Sequence, residues 1–212
     1  MLGAERSALA LTGGVLVDEV GRGKYRKWSA VNLTPADTGL GAWSAEDIVA
    51  YLTAGENARA VVHGPMNEVV MNSTRHLSDA DAQAVASYLK SLPAREQRGG
   101  RAPHEEQLRA GEIAYTVHCG SCHLPTGSGD PTLGVSLAGN AIVQAADPAS
   151  LINVVLYGPK LPPPPFGSDR TRMKPFGKRL SAEDIANLAS YVRTSFGNQA
   201  SAVAPHQVVQ QR

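Results

Sequence analysis

The sequence predicts an all-α protein of two tandem domains, the first of which is incomplete. Three observations lead to this fold class. Amphipathic helical patterns begin at serine capping boxes in both parts of the 212-residue chain. Two blocks of the first half recur in the second half with the same offset. Both cysteines lie in one five-residue motif, CGSCH at residues 119–123, which has no counterpart in the first half.

The composition is that of a folded protein whose charge gives no sign of a nucleic-acid partner. Hydrophobic residues make up 42% of the chain, and 21 Gly and 14 Pro indicate many turns between short helices. The net charge is +1, with 10 basic and 11 acidic residues in positions 1–100 and 10 and 8 in positions 101–212. This even balance argues against binding to nucleic acid. The length suits two ordinary domains.

In the first part of the chain the sequence predicts two helices after an irregular beginning. Residues 1–34 carry glycine turn signals and show no helical period. Ser44, followed by an acidic residue three positions later, opens a helix that stops at Gly55. A second capping box at Ser78 opens a longer helix, which Pro93 ends.

The second part follows a polar segment. Residues 96–104 contain Gly and Pro without periodicity and are predicted to be a linker. A helical pattern from residue 105 leads directly into the CGSCH motif, and a short helix is predicted at residues 148–157. The last helix begins at the capping box of Ser181. Residues 198–212 have no pattern and are predicted to be a flexible tail.

The repeat divides the chain into a partial and a complete domain, which we place at residues 1–95 and 105–197. A period near one hundred residues indicates duplicated domains and not a solenoid. The matching pairs are residues 77–81 (LSDAD) with 180–184 (LSAED), and 86–89 (ASYL) with 189–192 (ASYV).

The CGSCH motif is typical of covalent haem attachment. The thiols of Cys119 and Cys122 can each add to one vinyl group of a haem, and His123 is then placed to ligate the iron. A thioredoxin-like dithiol shares this spacing, but it needs a preceding hydrophobic strand, whereas the flanks here are helical. A zinc site could add His118 to these three residues, although structural zinc usually takes a second ligand pair from a distant segment. A disulfide across two residues would be strained.

Methionines in equivalent loops of the repeat are candidates for the other face of a haem. A thioether is a soft ligand that favours reduced iron. Met173 lies 50 residues after His123, in a loop with charged and proline neighbours. Met66 occupies the equivalent loop of the first copy, where Met71 is a competing candidate and His63 a further one. Taken alone, a methionine is more often a core residue than a ligand.

Basic residues surround Met173. They would neutralise haem propionates or meet an acidic partner, and a solvated rim is an equally good interpretation. The cluster consists of Arg170, Arg172, Lys174, Lys178 and Arg179.

The beginning of the chain bears on export. No run of 18 apolar residues occurs, so no segment is predicted to span a bilayer as a helix. The apolar stretch from Ala8 to Val17 resembles the core of a signal peptide, but Thr12 and a glycine pair interrupt it and no clean cleavage site follows. Covalent haem attachment of this kind takes place outside the cytoplasm in bacteria and requires an export signal. We therefore expect that the sequence is either the mature form or lacks the start of the chain.

Several further stretches carry a family resemblance: residues 32–35 (NLTP), 38–44 (TGLGAWS), 63–70 (HGPMNEVV), 88–93 (YLKSLP), 137–140 (LAGN) and 173–177 (MKPFG). With the CGSCH motif they resemble the cytochrome c subunit of bacterial membrane-bound alcohol, gluconate and related sugar or polyol dehydrogenases, which carries three haem c domains in tandem. The resemblance covers nearly the whole chain. The first half is similar to the back half of that family's middle domain, and residues 105–197 are similar to its third domain.

The resemblance implies one covalently bound haem c. Cys119 and Cys122 would be its anchors, His123 the proximal iron ligand and Met173 the distal iron ligand. Met66 would be the distal ligand of a missing haem. The family's first domain and the attachment motif of its middle domain have no match here, so we expect an N-terminally truncated member with tandem cytochrome c domains.

The same resemblance implies one-electron transfer by a subunit that is not a catalyst by itself. Electrons would pass from a dehydrogenase catalytic subunit to quinone or another cytochrome, on the periplasmic side of the bacterial inner membrane. Membrane contact would be peripheral or through partners. A zinc- or dithiol-bearing interaction module and an unmatured, non-functional fragment remain alternatives. A peroxidase needs an open distal position on the iron, and Met173 as distal ligand would occupy it, which argues against a peroxidase.

Overall fold

A β-hairpin lies near the start of the described part of the chain. Because residues 1–34 were predicted to be irregular and the protein all-α, both predictions are wrong for this segment. Strand β1, Gly14–Gly21, pairs antiparallel with strand β2, Lys24–Ala30. Valines recur in β1 and aromatic residues occur in β2, and glycines with positive φ flank the turn. The structure is a computed structural model that describes residues 10–21, 23–97, 100–159 and 172–212.

Hydrogen bonds hold strand β2 against the second half of the chain. The Ser29 N–H donates to Ser150 Oγ (2.9 Å), and the Ser150 N–H donates to Ser29 Oγ (3.0 Å). The side-chain amide of Asn153 donates to the Lys27 carbonyl (2.7 Å). These partners are more than 120 residues apart in sequence, so the interactions that fix the hairpin are not local.

Short helices complete the described first half. The predicted capping box at Ser44 is formed, since Ser44 Oγ accepts from the Asp47 N–H (3.0 Å) and the Asp47 carboxylate accepts from the Ser44 N–H (3.1 Å). Gly55 ends this helix with a φ of 80°. The elements are α1 Ala45–Ala54, α2 Met66–Asn72, a 3-10 helix Thr74–His76 and α3 Asp79–Ser91.

The second half is helical around one apolar core. The predicted helix at residues 148–157 and the helix capped by Ser181 are both confirmed. The helices are α4 Glu105–His118, α5 Gly120–His123, α6 Ala141–Gln144, α7 Ala149–Tyr157, α8 Ala182–Thr194 and α9 Pro205–Gln210. The second-half core consists of Tyr115, Cys119, Val143, Leu151, Ile152, Val155, Leu156, Phe176, Ile185, Ala186, Leu188, Ala189, Val192, Val203 and Val208.

Helices α4 and α8 cross at Gly111, about two helical turns before the CGSCH motif. A Cβ atom at position 111 would lie 2.2 Å from the Asn187 carbonyl oxygen and 2.6 Å from Tyr191 Cβ. Only glycine lets the two backbones approach this closely. The crossing therefore packs α4, the helix that leads into the motif, closely against α8.

The flexible tail predicted for residues 198–212 is instead folded onto the core. Val203 and Val208 are fully buried against the second-half core, and α9 contacts α8. The Gln107 side-chain amide donates to the Val203 carbonyl (2.9 Å). Pro205 at the first helical position and Gln207, which accepts from the Ala204 N–H (2.9 Å), begin the helix.

The two halves contact each other directly, and the start of the segment predicted as a linker is bonded to the first half. The Asn140 side chain donates to the Arg59 carbonyl (2.9 Å), and the Gln144 side chain donates to the Asp37 carbonyl (2.8 Å). Glu96 accepts from the Asp37 N–H (2.7 Å), which fixes the start of residues 96–104 to the first half. No helix among the described residues is long and apolar enough to cross a membrane.

Candidate functional site

The CGSCH motif lies at the end of α4 and forms the single turn α5. The Cys119 N–H donates to the Tyr115 carbonyl (2.8 Å), and the His123 N–H donates to the Cys119 carbonyl (2.9 Å). Cys119 is buried in the second-half core, whereas Cys122 is half-buried, and both are free thiols. The turn thus brings two thiols and one imidazole together on a short, hydrogen-bonded stretch of backbone.

The ring of His123 is oriented by a backbone carbonyl. Its Nδ1 lies 2.8 Å from the Val135 carbonyl oxygen, so Nδ1 carries the proton that it donates and the lone pair of Nε2 is available to a metal. Burial lowers the pKa of His123, which favours the neutral imidazole that metals bind, and the hydrogen bond to Val135 opposes this shift. A hydrogen-bonded, neutral histidine is the usual form of an iron ligand.

A tight loop places that carbonyl. Asp130 accepts from the Thr132 N–H (2.8 Å) and from the Leu133 N–H (3.0 Å), which forms an Asx turn. Gly129 has a φ of +75°, and a Cβ there would lie 2.5 Å from the Val135 carbonyl carbon. Gly134 packs against the His123 ring, where an added Cβ would lie 3.1 Å from Nδ1.

The protonation of Cys119 weighs against the dithiol interpretation. Burial raises the pKa of Cys119 to about 12, so the group is a neutral thiol at physiological pH. Redox dithiols use thiolates. No group of three or more His, Cys, Asp or Glu side chains in the described ranges is arranged to hold a metal ion. The thiols, the available Nε2 and the apolar surroundings fit a haem.

Met173 lies at the edge of the same core as Cys119. It is half-buried and packs against the second-half core. The chain after it is fixed along α7, because the Phe176 N–H donates to the Val155 carbonyl (2.9 Å). In the basic cluster around Met173, Arg170 lies outside the described residues, and Arg172, Lys174, Lys178 and Arg179 are exposed.

The first half contains a largely apolar cavity of about 490 Å³. Met66, which begins α2, lines this first-half cavity together with His63, whereas Met71 is not among the lining residues. Burial lowers the pKa of His63, and its Nδ1 lies 3.1 Å from the Val61 carbonyl oxygen. The apolar walls include Leu33, Leu40, Ile48, Leu52, Val69 and Leu89.

Two lining residues of this cavity were not predicted as site residues. The indole N–H groups of Trp28 and Trp43 are buried and have no hydrogen-bond partner among the described residues. An unpaired buried donor costs about 1–3 kcal/mol, and buried tryptophans usually find a partner. The sequence distinguishes these residues only by their rarity, since they are its only two tryptophans, and this does not indicate a shared cavity.

Comparison with known proteins agrees with this geometry. The family described as "Cytochrome C oxidase, cbb3-type, subunit III" matches residues 106–192, which contain the whole CGSCH motif. The cytochrome c subunit of the quinone alcohol dehydrogenase of Gluconobacter oxydans (strain 621H) is 36% identical over 201 residues, which cover 90% of this chain and 40% of that subunit. Residues 106–192 therefore match a cytochrome family, and the chain is similar to the cytochrome c subunit of an alcohol dehydrogenase.

Two other relatives of this chain are also named as dehydrogenase subunits. The gluconate 2-dehydrogenase cytochrome c subunit of Pantoea cypripedii is 34% identical over 190 residues, which cover 82% of this chain and 42% of that subunit. The fructose dehydrogenase cytochrome subunit of Gluconobacter japonicus is 33% identical over 217 residues, which cover 87% of this chain and 44% of that subunit. The chain spans about two fifths of the length of these curated relatives.

Proposed function

We propose that this cytochrome transfers single electrons through a haem c attached to Cys119 and Cys122. The observation that carries the proposal is the His123 imidazole, which is half-buried and held at Nδ1 by the Val135 carbonyl (2.8 Å). This arrangement leaves Nε2 for the iron. When bound, the haem supplies the one-electron change between ferrous and ferric iron.

The residues around the site would position the cofactor. Both thiols are within the stretch that α4 and α5 fix, so thioether bonds would hold the haem edge against the second-half core. We propose Met173 as the distal ligand, since it lies beside the same core on a segment fixed to α7. A thioether opposite the histidine would raise the potential and close the iron to external ligands.

We also propose that Met66 is the distal ligand of a haem that is missing from the first half. Met66 and His63 both line the first-half cavity, whose walls are otherwise largely apolar. Among the methionines of this half, the cavity lining favours Met66 over Met71.

The partners that we propose follow from the relatives. Those proteins are named as cytochrome subunits of alcohol, gluconate and fructose dehydrogenases. We propose that a dehydrogenase catalytic subunit supplies the electrons and that quinone or another cytochrome accepts them. This transfer would take place on the periplasmic side of the bacterial inner membrane, with peripheral contact to the lipid.

Replacing the distal ligand tests the assignment of Met173. The variant Met173→Ala is expected to lower the midpoint potential and to let cyanide bind the ferric iron, because the thioether no longer occupies the sixth position. Visible spectra, a redox titration and a cyanide titration measure these changes. Met71→Ala is the matched control and should leave all of them unchanged. An unchanged spectrum and potential in Met173→Ala would reject Met173 as the ligand.

A further inference from the structure

Residues 172–180, called the Met173 segment here, form no helix or strand and are held by other parts of the chain. On one side the N–H groups of Phe176 and Gly177 donate to two carbonyls in the last turn of α7 (2.9 and 3.0 Å). The carbonyls of a last helical turn lack donors within their own helix. The Met173 segment therefore satisfies the end of α7 and is fixed to it.

Arg212 holds the other side of the Met173 segment. Its guanidinium donates to the Gly177 carbonyl (2.6 Å) and to the Leu180 carbonyl (2.8 Å). The N–H of Gly177 is thus bonded to α7 and its carbonyl to Arg212. Because a planar guanidinium presents its donors in a fixed fork, this one side chain fixes the two carbonyls relative to each other.

The position of Arg212 is itself set by its neighbours. Val208 of α9 and Gln211 are buried, which anchors the backbone directly before Arg212. The Tyr157 hydroxyl, at the end of α7, donates to the Gln211 carbonyl (2.5 Å). The Arg26 guanidinium of β2 lies over the Tyr157 ring, 3.8 Å from its centroid. A continuous series of contacts therefore leads from the first half through Tyr157 and Arg212 to the Met173 segment.

We propose that Arg212, set in place by Tyr157, is a positioning residue that keeps the Met173 sulfur on the haem iron. This inference rests on the proposed role of Met173 as the distal ligand. A thioether is a soft ligand that favours ferrous over ferric iron, so its retention on ferric iron depends on a backbone that does not move away. Gly177, which is bonded on both sides, belongs to the same short segment. Loss of these hydrogen bonds would let the segment, and with it the sulfur, leave the iron more often.

The rate of cyanide binding to the ferric haem measures how often the sulfur leaves, because cyanide binds only when the distal position is open. We would compare the full chain carrying its covalent haem with the variants Arg212→Met and Tyr157→Phe. Arg212→Met should bind cyanide about tenfold faster, and Tyr157→Phe, which acts through Arg212, about threefold faster. Tyr157→Phe keeps the ring under Arg26 and changes no charge, so its effect would not be a Coulomb interaction with the iron.

Hydrogen exchange of the Phe176 and Gly177 amides measures the segment itself, whichever ligand the iron has. Both amides donate to α7 and are released only when the segment moves away from that helix. In Arg212→Met they should exchange about tenfold faster than in the unmodified chain. Thermal melting checks that each variant is folded.

Lys178→Met is the matched control. Lys178 is an exposed cation of the Met173 segment that pairs with none of the described residues, so this variant removes the same charge without removing a hydrogen bond. It should leave cyanide binding and amide exchange nearly unchanged. Arg212→Lys should recover part of the loss, because an ammonium still donates but lacks the fork that reaches both carbonyls.

Two outcomes would overturn the proposal. One is a rate of cyanide binding that neither variant changes, and the other is faster amide exchange without faster cyanide binding, since the contacts of Arg212 would then be structural only. Met173→Ala separates this inference from the proposed function. If Met173→Ala opens the iron to cyanide and Arg212→Met does not, the inference is wrong and Met173 stands as the ligand. If Met173→Ala also changes nothing, the ligand assignment itself is wrong.

Discussion

The substitution Gly111→Ala tests whether the crossing of α4 and α8 is as close as the structure shows. The added Cβ would lie 2.2 Å from the Asn187 carbonyl oxygen and 2.6 Å from Tyr191 Cβ. Ordinary contact begins near 3.4 Å. The obstacle is partly backbone, so it cannot be relieved by a rotamer change, and the two helices would have to separate by about 1 Å.

The expected destabilisation follows from two opposing effects. Overpacking costs about 1–3 kcal/mol, and a backbone clash belongs at the upper end of that range. Alanine recovers about 0.8–1 kcal/mol in a helix interior because it restricts the unfolded chain more than glycine does. The net loss is about 2 kcal/mol, which corresponds to a fall in Tm of about 4–8 °C for a chain of this size.

Thermal unfolding followed by circular dichroism measures this change in the haem-loaded protein. The matched control is Gly14→Ala, where an added Cβ meets no atom within 4 Å in the described structure. It should shift the Tm by no more than about 1–2 °C. A Tm for Gly111→Ala that equals or exceeds that of the unmodified chain would refute the close crossing.

Three further predictions concern buried polar groups. Arg193 is fully buried and donates to the carbonyls of three residues at 2.8–2.9 Å. Arg193→Met should therefore lower the free energy of unfolding, measured in urea, by about 3–5 kcal/mol, and a loss under about 1 kcal/mol would contradict this. In the haem-free chain, a pKa of about 12 leaves about one Cys119 in ten thousand as thiolate at pH 8. The rate of Cys119 alkylation, measured by peptide mass, should therefore rise about tenfold per pH unit. A rapid reaction that does not depend on pH would exclude a buried thiol. Burial lowers the pKa of His63 and of His123, so the unfolded chain binds protons that the folded haem-free chain does not. The urea concentration at the unfolding midpoint should therefore fall as the pH drops below about 6.5, and a constant midpoint from about pH 8 to pH 5 would contradict this.

Local signals in the sequence were sufficient where the chemistry itself is local. The capping boxes at Ser44 and Ser181 predicted the starts of α1 and α8, because the cap and its partner lie within one turn. The CGSCH motif was recognised for the same reason, since its spacing alone places two thiols and an imidazole together. The Val135 carbonyl that orients His123 could not be foreseen, because it depends on the shape of the loop between them.

Non-local contacts account for what the sequence did not predict. The hairpin was interpreted as irregular because its stabilising partners, such as Ser150, lie in the other half of the chain. The tail was predicted to be flexible because burial of Val203 and Val208 depends on packing against α8. Trp28 and Trp43 gave no signal of a shared cavity, since a tryptophan in a sequence is as compatible with simple packing as with a ligand site.

The intact mass of the denatured protein tests the central claim most directly. The chain would be exported and matured in a bacterial periplasm and then unfolded, because thioether-linked haem survives unfolding whereas zinc and loosely held haem do not. A gain of one haem, lost in the double variant Cys119→Ala with Cys122→Ala, is the predicted result. The mass of the bare polypeptide would contradict covalent attachment. It would favour a zinc site, a dithiol or an unmatured fragment instead.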